Sequence, residues 1–218
     1  RNYDKAIESI RAYAQNKIGR LTLASAPSVA ANLIPSILPS FVAARPEVEI
    51  ELFDIDSRNV RSMVETGQAD LGIAGKPMSD ALVSFEPLFR DRFKVICSTT
   101  CRLFQIAEPL SWSDLEDEVL ILNGAAEAIQ APQYQALSKK ASMTVRNVTS
   151  LMALAKANLG FTLLPALATT GLPEGVAALE LEDTTAIRMV GLLERRGATR
   201  SPVATAFHEF ILEKMPAE

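Results

Sequence analysis

The sequence predicts an α/β protein whose strands are mainly parallel and covered by helices. Three observations carry that expectation. From Arg20 onward, short strand-like and helix-like stretches alternate in the strand, helix, strand order of parallel-sheet units. A device of strand, small polar turn and apolar helix in GRLTLASAPSVAANLIPSIL returns in ASMTVRNVTSLMALAK. Hydrophobic residues make up 48% of the 218 positions, enough to bury a sizeable core.

The elements follow in order. Arg1 to Asn16 place Tyr3, Ile7, Ile10 and Ala14 on one narrow helical stripe that seeks a partner helix, and Gly19 ends that helix. The chain starts at Arg1 and is already helical in pattern, as expected of a piece of a longer protein. Leu21 to Ala24 reads as a buried strand. Leu33, Ile34, Ile37, Leu38, Phe41 and Val42 recur at helical spacing, with Pro35 and Pro39 delaying or bending the helix.

Val48 to Leu52 alternates as a strand with one wet face. Ser57 is placed to cap a helix bearing Val60, Met63 and Val64, with Gly67 at its end and a strand from Asp70 to Ala74 after it. Two extended segments, Leu82 to Leu88 and Phe93 to Ser98, follow. Later strands are expected at Val119 to Leu122, Ser142 to Arg146, Gly160 to Leu164, Val176 to Leu181 and Ile187 to Leu193. Leu151, Leu154 and Ala155 form the inner face of one helix, and Val203, Phe207, Phe210 and Ile211 that of the last.

Several functions are disfavoured. A net charge of −4 is not the balance of a surface that neutralises many phosphates. No apolar run reaches the roughly 20 residues of a membrane span and no secretion signal opens the chain, so it reads as soluble and cytoplasmic. Cys97 and Cys101 are read as buried or incidental thiols, and the single histidine, His208, as an ordinary helix-surface residue. QADLGIAGKP looks like a phosphate loop, but Asp70 stands where the motif needs glycine and Pro77 where it needs a hydroxyl. Asp54 with Asp56 and Asp114 with Asp117 read as solvated loop charges rather than acid and base. No nucleophile elbow, Ser-His-acid set or zinc spacing is present, so no catalytic residue, metal or cofactor is assigned.

What remains is recognition. Ser25, Ala26, Pro27 and Ser28 lead a strand end into a helix N-terminus, where amides and the helix dipole favour a carboxylate. Asn147, Val148, Thr149 and Ser150 do the same later. Taken singly, Ser28 and Thr149 or Ser150 are N-caps; two such turns at matching strand ends point to a binding cleft. Arg146 stands beside the second turn, as a carboxylate partner or a surface charge.

These pieces together resemble the effector-binding domain of LysR-type transcriptional regulators. The matching stretches are GRLTLASAPSVAANLIPSILPSFVAARPEVEIEL, GQADLGIAG, FEPLFRDRFKVICS and SLMALAKANLGFTLLP, in the family's order and spacing. Arg1 to Lys17 resembles the family's linker helix. The resemblance implies two Rossmann-like α/β subdomains of type II periplasmic-binding-protein form with an interdomain effector cleft. Residues 1–18 would be the linker helix, 19–92 with 196–218 the first subdomain, and 93–195 the second.

It further implies a ligand-sensing domain, not an enzyme, that binds a small anionic effector and mediates assembly into dimers and tetramers. Promoter DNA would be held by a winged helix-turn-helix domain outside this segment. By position, the resemblance assigns Ser25 to Val29, Ala74 and Gly75, Asn123 and Gly124, and Asn147 to Thr149 to the effector. Cys101 to Phe104 departs from the family's pattern, and Cys97 and Cys101 do not match its peroxide-sensing pair, so redox sensing is not carried over. A transporter's solute-binding protein has the same fold and is the alternative. An enzyme is the third reading and has no visible acid-base pair.

Overall fold

A computed structural model describes residues 18–77 and 81–215; the expected N-terminal helix lies outside them. The chain divides into two compact units. One runs to Phe89 and resumes at Val190; the other is the continuous stretch Arg90–Met189. Both boundaries fall inside strands.

In the first unit, β1 (Ile18–Ser25) pairs in parallel with β2 (Glu47–Asp54) and β3 (Leu71–Gly75). β9 (Ile187–Arg195) runs antiparallel to β3, giving the order β2-β1-β3-β9, with the first half of β4 (Val83–Ser98) beside β9. Leu21, Leu23, Leu71 and Ile73 are fully buried in this sheet. β2 is its edge; the expected alternation holds from Glu47 to Ile50 and then inverts, so that Leu52 is exposed.

The awkward prolines split the first helix. α1 (Pro27–Asn32) stops at Leu33, and α2 (Ile34–Ala44) restarts with Pro35 in its first turn, where no amide is needed, and Pro39 inside. α2 packs on the closing helix α6 (Pro202–Lys214) through an edge-to-face contact of Phe41 with Phe207, centroids 5.0 Å apart.

α3 (Ser57–Thr66) begins one residue earlier than the capping expectation: Asp56, not Ser57, accepts the amides of Arg58 and Asn59. Gly67 ends it in the left-handed region at φ 73°. Val60 and Val64 of α3 then seat on Gly72, where an added Cβ would lie 2.9 Å from each side chain. The first glycine of QADLGIAGKP, Gly72, is therefore a helix seat. Asp70, just before β3, accepts the Thr22 amide at 2.8 Å and so ties β3 to β1.

In the second unit, the other half of β4 pairs antiparallel with β7 (Thr162–Pro165) and β8 (Val176–Glu180). β4 is one 16-residue strand, not two segments: the polar positions between Leu88 and Phe93 continue it. The strands expected at 119–122 and 142–146 shrink to β5 (Ile121–Leu122) and β6 (Met143–Thr144), a parallel pair, and Val119 is 53% exposed. α4 (Pro132–Lys140) and α5 (Val148–Lys156) complete the unit, with Leu151 and Ala155 of α5 buried and Leu154 half-buried. Asp91 and Arg188, 96% buried, form an ion pair at 2.8 Å, and Asp91 also accepts the Leu167 amide. Burial depresses the Arg188 guanidinium, and Asp91 counters it.

Two further expectations fail. His208 is buried, because α6 packs it against carboxylates of the sheet: its Nε2 lies 2.9 Å from Glu86 and 3.4 Å from Glu194. Asp56 and Asp114 are not idle loop charges. Asp114 closes a reciprocal cap with Ser111 around a 3₁₀ turn, and those bonds hold its carboxyl below the usual range.

Candidate functional site

Parallel pairing brings the carboxyl ends of β1, β2 and β3 together, with Ser25 opposite both Asp54 and Ile73. The Ala26 amide donates to the Ile73 carbonyl and the Ile55 amide to the Ser25 carbonyl, which welds the turn to both neighbouring strands. Ser25, Ala26, Val29 and Ala74 are at most 2% exposed and Ser28 is 7% exposed. Ser28 is not a cap: Ala26 occupies that position without any side-chain bond, and Ser28 sits inside the first turn. α1 has only six residues, too few for much of a dipole. Of the residues expected here, Pro27 and Gly75 are the less buried. A Cβ added at Gly75 would meet only Ser57 Oγ, at 3.9 Å, so this strand end is open. Ser57, at the first position of α3, is the neighbour that the sequence reading used only as a cap.

In the second unit, Leu122 stands opposite Thr144, and the chain turns at Asn123. The Asn123 side chain is buried and fully engaged. It donates to Thr162 Oγ1 at 2.8 Å and to the Leu163 carbonyl at 2.9 Å, while its Oδ1 accepts the amides of Ala125 and Ala126. Thr162 in turn donates to the Ile121 carbonyl. Asn123 is therefore a latch between β5 and β7, with no side-chain capacity left for a ligand. Gly124 has open space around it.

At the turn into α5, the cap is Asn147, not Thr149 or Ser150: its Oδ1 accepts the Ser150 amide at 3.1 Å. That leaves the amides of Val148 and Thr149, at the first two helical positions, without an intrahelical acceptor. Arg146, Asn147 and Thr149 are exposed, Val148 half-buried, and Arg146 makes no ion pair or hydrogen bond among the described residues.

Other candidates are structural. A cavity of about 670 Å³ in the first unit is lined by Arg20, Glu51, Phe53, Met63 and Asp70, but Arg20 pairs with Glu51 and Asp70 holds Thr22. Cys97 and Cys101 are buried free thiols, and burial with a hydrogen bond to Cys101 pushes the Cys97 thiol far up, away from the reactive thiolate. Among the described residues no group of three or more His, Cys, Asp or Glu is placed to hold a metal ion. No described helix is long and apolar enough to cross a membrane.

A family model described as the LysR substrate binding domain matches residues 14–216. The chain belongs to that family. LysR-type proteins are transcriptional regulators, not enzymes, and this chain is the effector-binding domain of one; the transporter alternative is not favoured. It is 26% identical over 202 residues to the probable regulator LrrA of Synechococcus elongatus, covering 91% of this chain and 67% of that protein. Among solved structures, the effector binding domain of QuiR in complex with shikimate superposes with a TM-score of 0.80 at 16% identity, over 91% of this chain and 97% of that one. The Synechocystis CcmR regulatory domain in complex with 2-PG gives 0.77 at 17%, over 91% and 98%. Both likenesses speak for the LysR effector-domain fold.

Proposed function

We propose that this LysR effector-binding domain senses a small carboxylate or phosphate-bearing metabolite, and that the turn into α5 holds the anionic group. The observation that carries this is the open start of α5: the Val148 and Thr149 amides, with the exposed Arg146, unpaired among the described residues, two residues ahead of the helix, make a backbone anion grip with one available cation. Ser25 to Val29, Ala74 and Gly75 in the first unit and Gly124 in the second are the further residues assigned to the effector, and Asn123 holds the Gly124 turn in place. The shikimate bound by the QuiR domain, a carboxylate, supports an anion as the ligand class.

The domain acts as a binding module in the cytoplasm, with a linker helix ahead of β1 and with its two subdomains divided at Phe89/Arg90 and Met189/Val190. Promoter DNA is gripped by a helix-turn-helix domain outside this segment. A thermal-shift screen of carboxylates and phosphate esters tests the reading. A true effector at a hundred times its dissociation constant stabilises the domain by about 2.7 kcal/mol, and failure of every anion while a neutral metabolite stabilises it would overturn the assignment.

Self-association into dimers, and tetramers in the whole regulator, belongs to the same proposal. Val42 on α2 and Leu52 on the edge strand β2 are 40% and 37% exposed, apolar surface suited to a second copy. Light scattering should report a dimer, and Val42→Asp should shift it to a monomer.

A further inference from the structure

The second unit carries a cavity of about 400 Å³ that the effector reading does not use. Three rigid pieces frame it. The first is the 3₁₀ turn Trp112–Leu115, fixed by the Ser111–Asp114 cap. The second is the start of α4, with Pro132 and Gln133; Tyr134 backs the indole with ring centroids 6.3 Å apart. The third is the loop after β8, with Glu182 and Asp183, stitched to the first by Leu110: its amide donates to the Glu180 carbonyl, and its carbonyl accepts the Glu182 amide, both at 2.8 Å.

The chemistry of the lining is one-sided. Trp112, Ala131 and Pro132 supply an apolar wall, and the lining residues include two carboxylates and no Lys or Arg. Asp183 is saturated: it accepts Trp112 Nε1 at 2.8 Å and both the amide and hydroxyl of Thr185. Burial alone would raise its affinity for a proton, but these bonds outweigh burial and keep it an anion. Glu182 is exposed and its carboxylate makes no hydrogen bond or ion pair among the described residues, so it is available at the rim.

We infer that this cavity is a second binding site, for a small organic cation: an amine or guanidinium on a compact apolar body. The body lies on the indole and proline, and the cation meets Glu182 within the field of the fixed Asp183 carboxylate. The cation preference sets this site apart from the anion-binding turn at α5.

Trp112 is the sole tryptophan of the chain, so its fluorescence reports this cavity directly. The test titrates the domain with benzylamine, using benzyl alcohol and benzoate as neutral and anionic partners of the same size. A saturable change is expected with benzylamine only, weakened about two- to fivefold in Glu182→Gln, the range of a solvent-exposed ion pair. Gln133→Arg, which puts a competing cation on an exposed helix position, should abolish it. An equal response to benzyl alcohol, a response that does not saturate, or full affinity in both variants would each overturn the site.

Discussion

The two strand-end turns look alike in sequence and differ in the folded chain. The turn of the first unit, Ser25 to Val29, is buried, hydrogen-bonded to the strands on both sides and followed by a six-residue helix. The turn of the second unit, at Arg146 and Asn147, is exposed and leads, with Asn147 as cap, into a nine-residue helix whose first two amides are open. A buried, saturated turn can give shape but has few donors to offer; an exposed helix start gives donors and a dipole. The difference is why the proposed anion grip is placed at the second turn and not at the first.

The comparison can be broken in order of effect. Gly72→Val drives a branched side chain into Val60 and Val64 and lifts α3 from the sheet that holds the first turn. It should cost about 3 kcal/mol in chemical denaturation, whereas Gly75→Ala, in open space, should cost well under 1. Asn123→Ala removes the latch of the second unit and leaves buried amides and a hydroxyl short of partners, for a loss of about 2 kcal/mol.

Val148→Pro deletes one open amide at a helix position where proline is tolerated, so it should keep stability and weaken a confirmed anionic effector about tenfold, while Ser28→Ala weakens it far less. Calorimetric titration that ranks the two the other way would move the grip to the first turn. Asn147→Ala and Asp56→Ala each remove a helix cap and should each cost about 1 kcal/mol, but only the first sits at the proposed grip and should also alter effector affinity.

The smallest effect is acid-side. Asp183 binds its proton less readily in the folded chain than in the unfolded one, so its contribution is full above about pH 4 and fades as pH falls through its lowered value. Melting temperatures measured from pH 5 to pH 3 should fall less steeply in Asp183→Asn.

How much of this was legible in the sequence depended on whether the deciding contact was local. Alternation from Glu47 to Ile50 and the left-handed stop at Gly67 are properties of a few adjacent residues, and both were readable. Capping was misplaced by one to three residues because Asp56 and Asn147 compete with neighbouring hydroxyls, and only backbone angles decide which residue stays outside the helix.

The role of Asn123 depends on Thr162 and Leu163, about forty residues away, and the burial of His208 on Glu86 and Glu194. No periodicity encodes such partners. Val119 misled because an apolar residue at a strand start reads as core even when it ends up on the surface.

The two units also differ in how the chain supplies them. The second is one unbroken stretch, Arg90–Met189, while the first is closed only when β9 returns to pair with β3 more than a hundred residues after β3 was made. On the ribosome, then, all of the second unit has emerged before the first can complete its sheet and receive α6. A nascent chain cut off just after Met189 would carry all of the second unit and an open sheet edge at β3, a buried strand suddenly exposed.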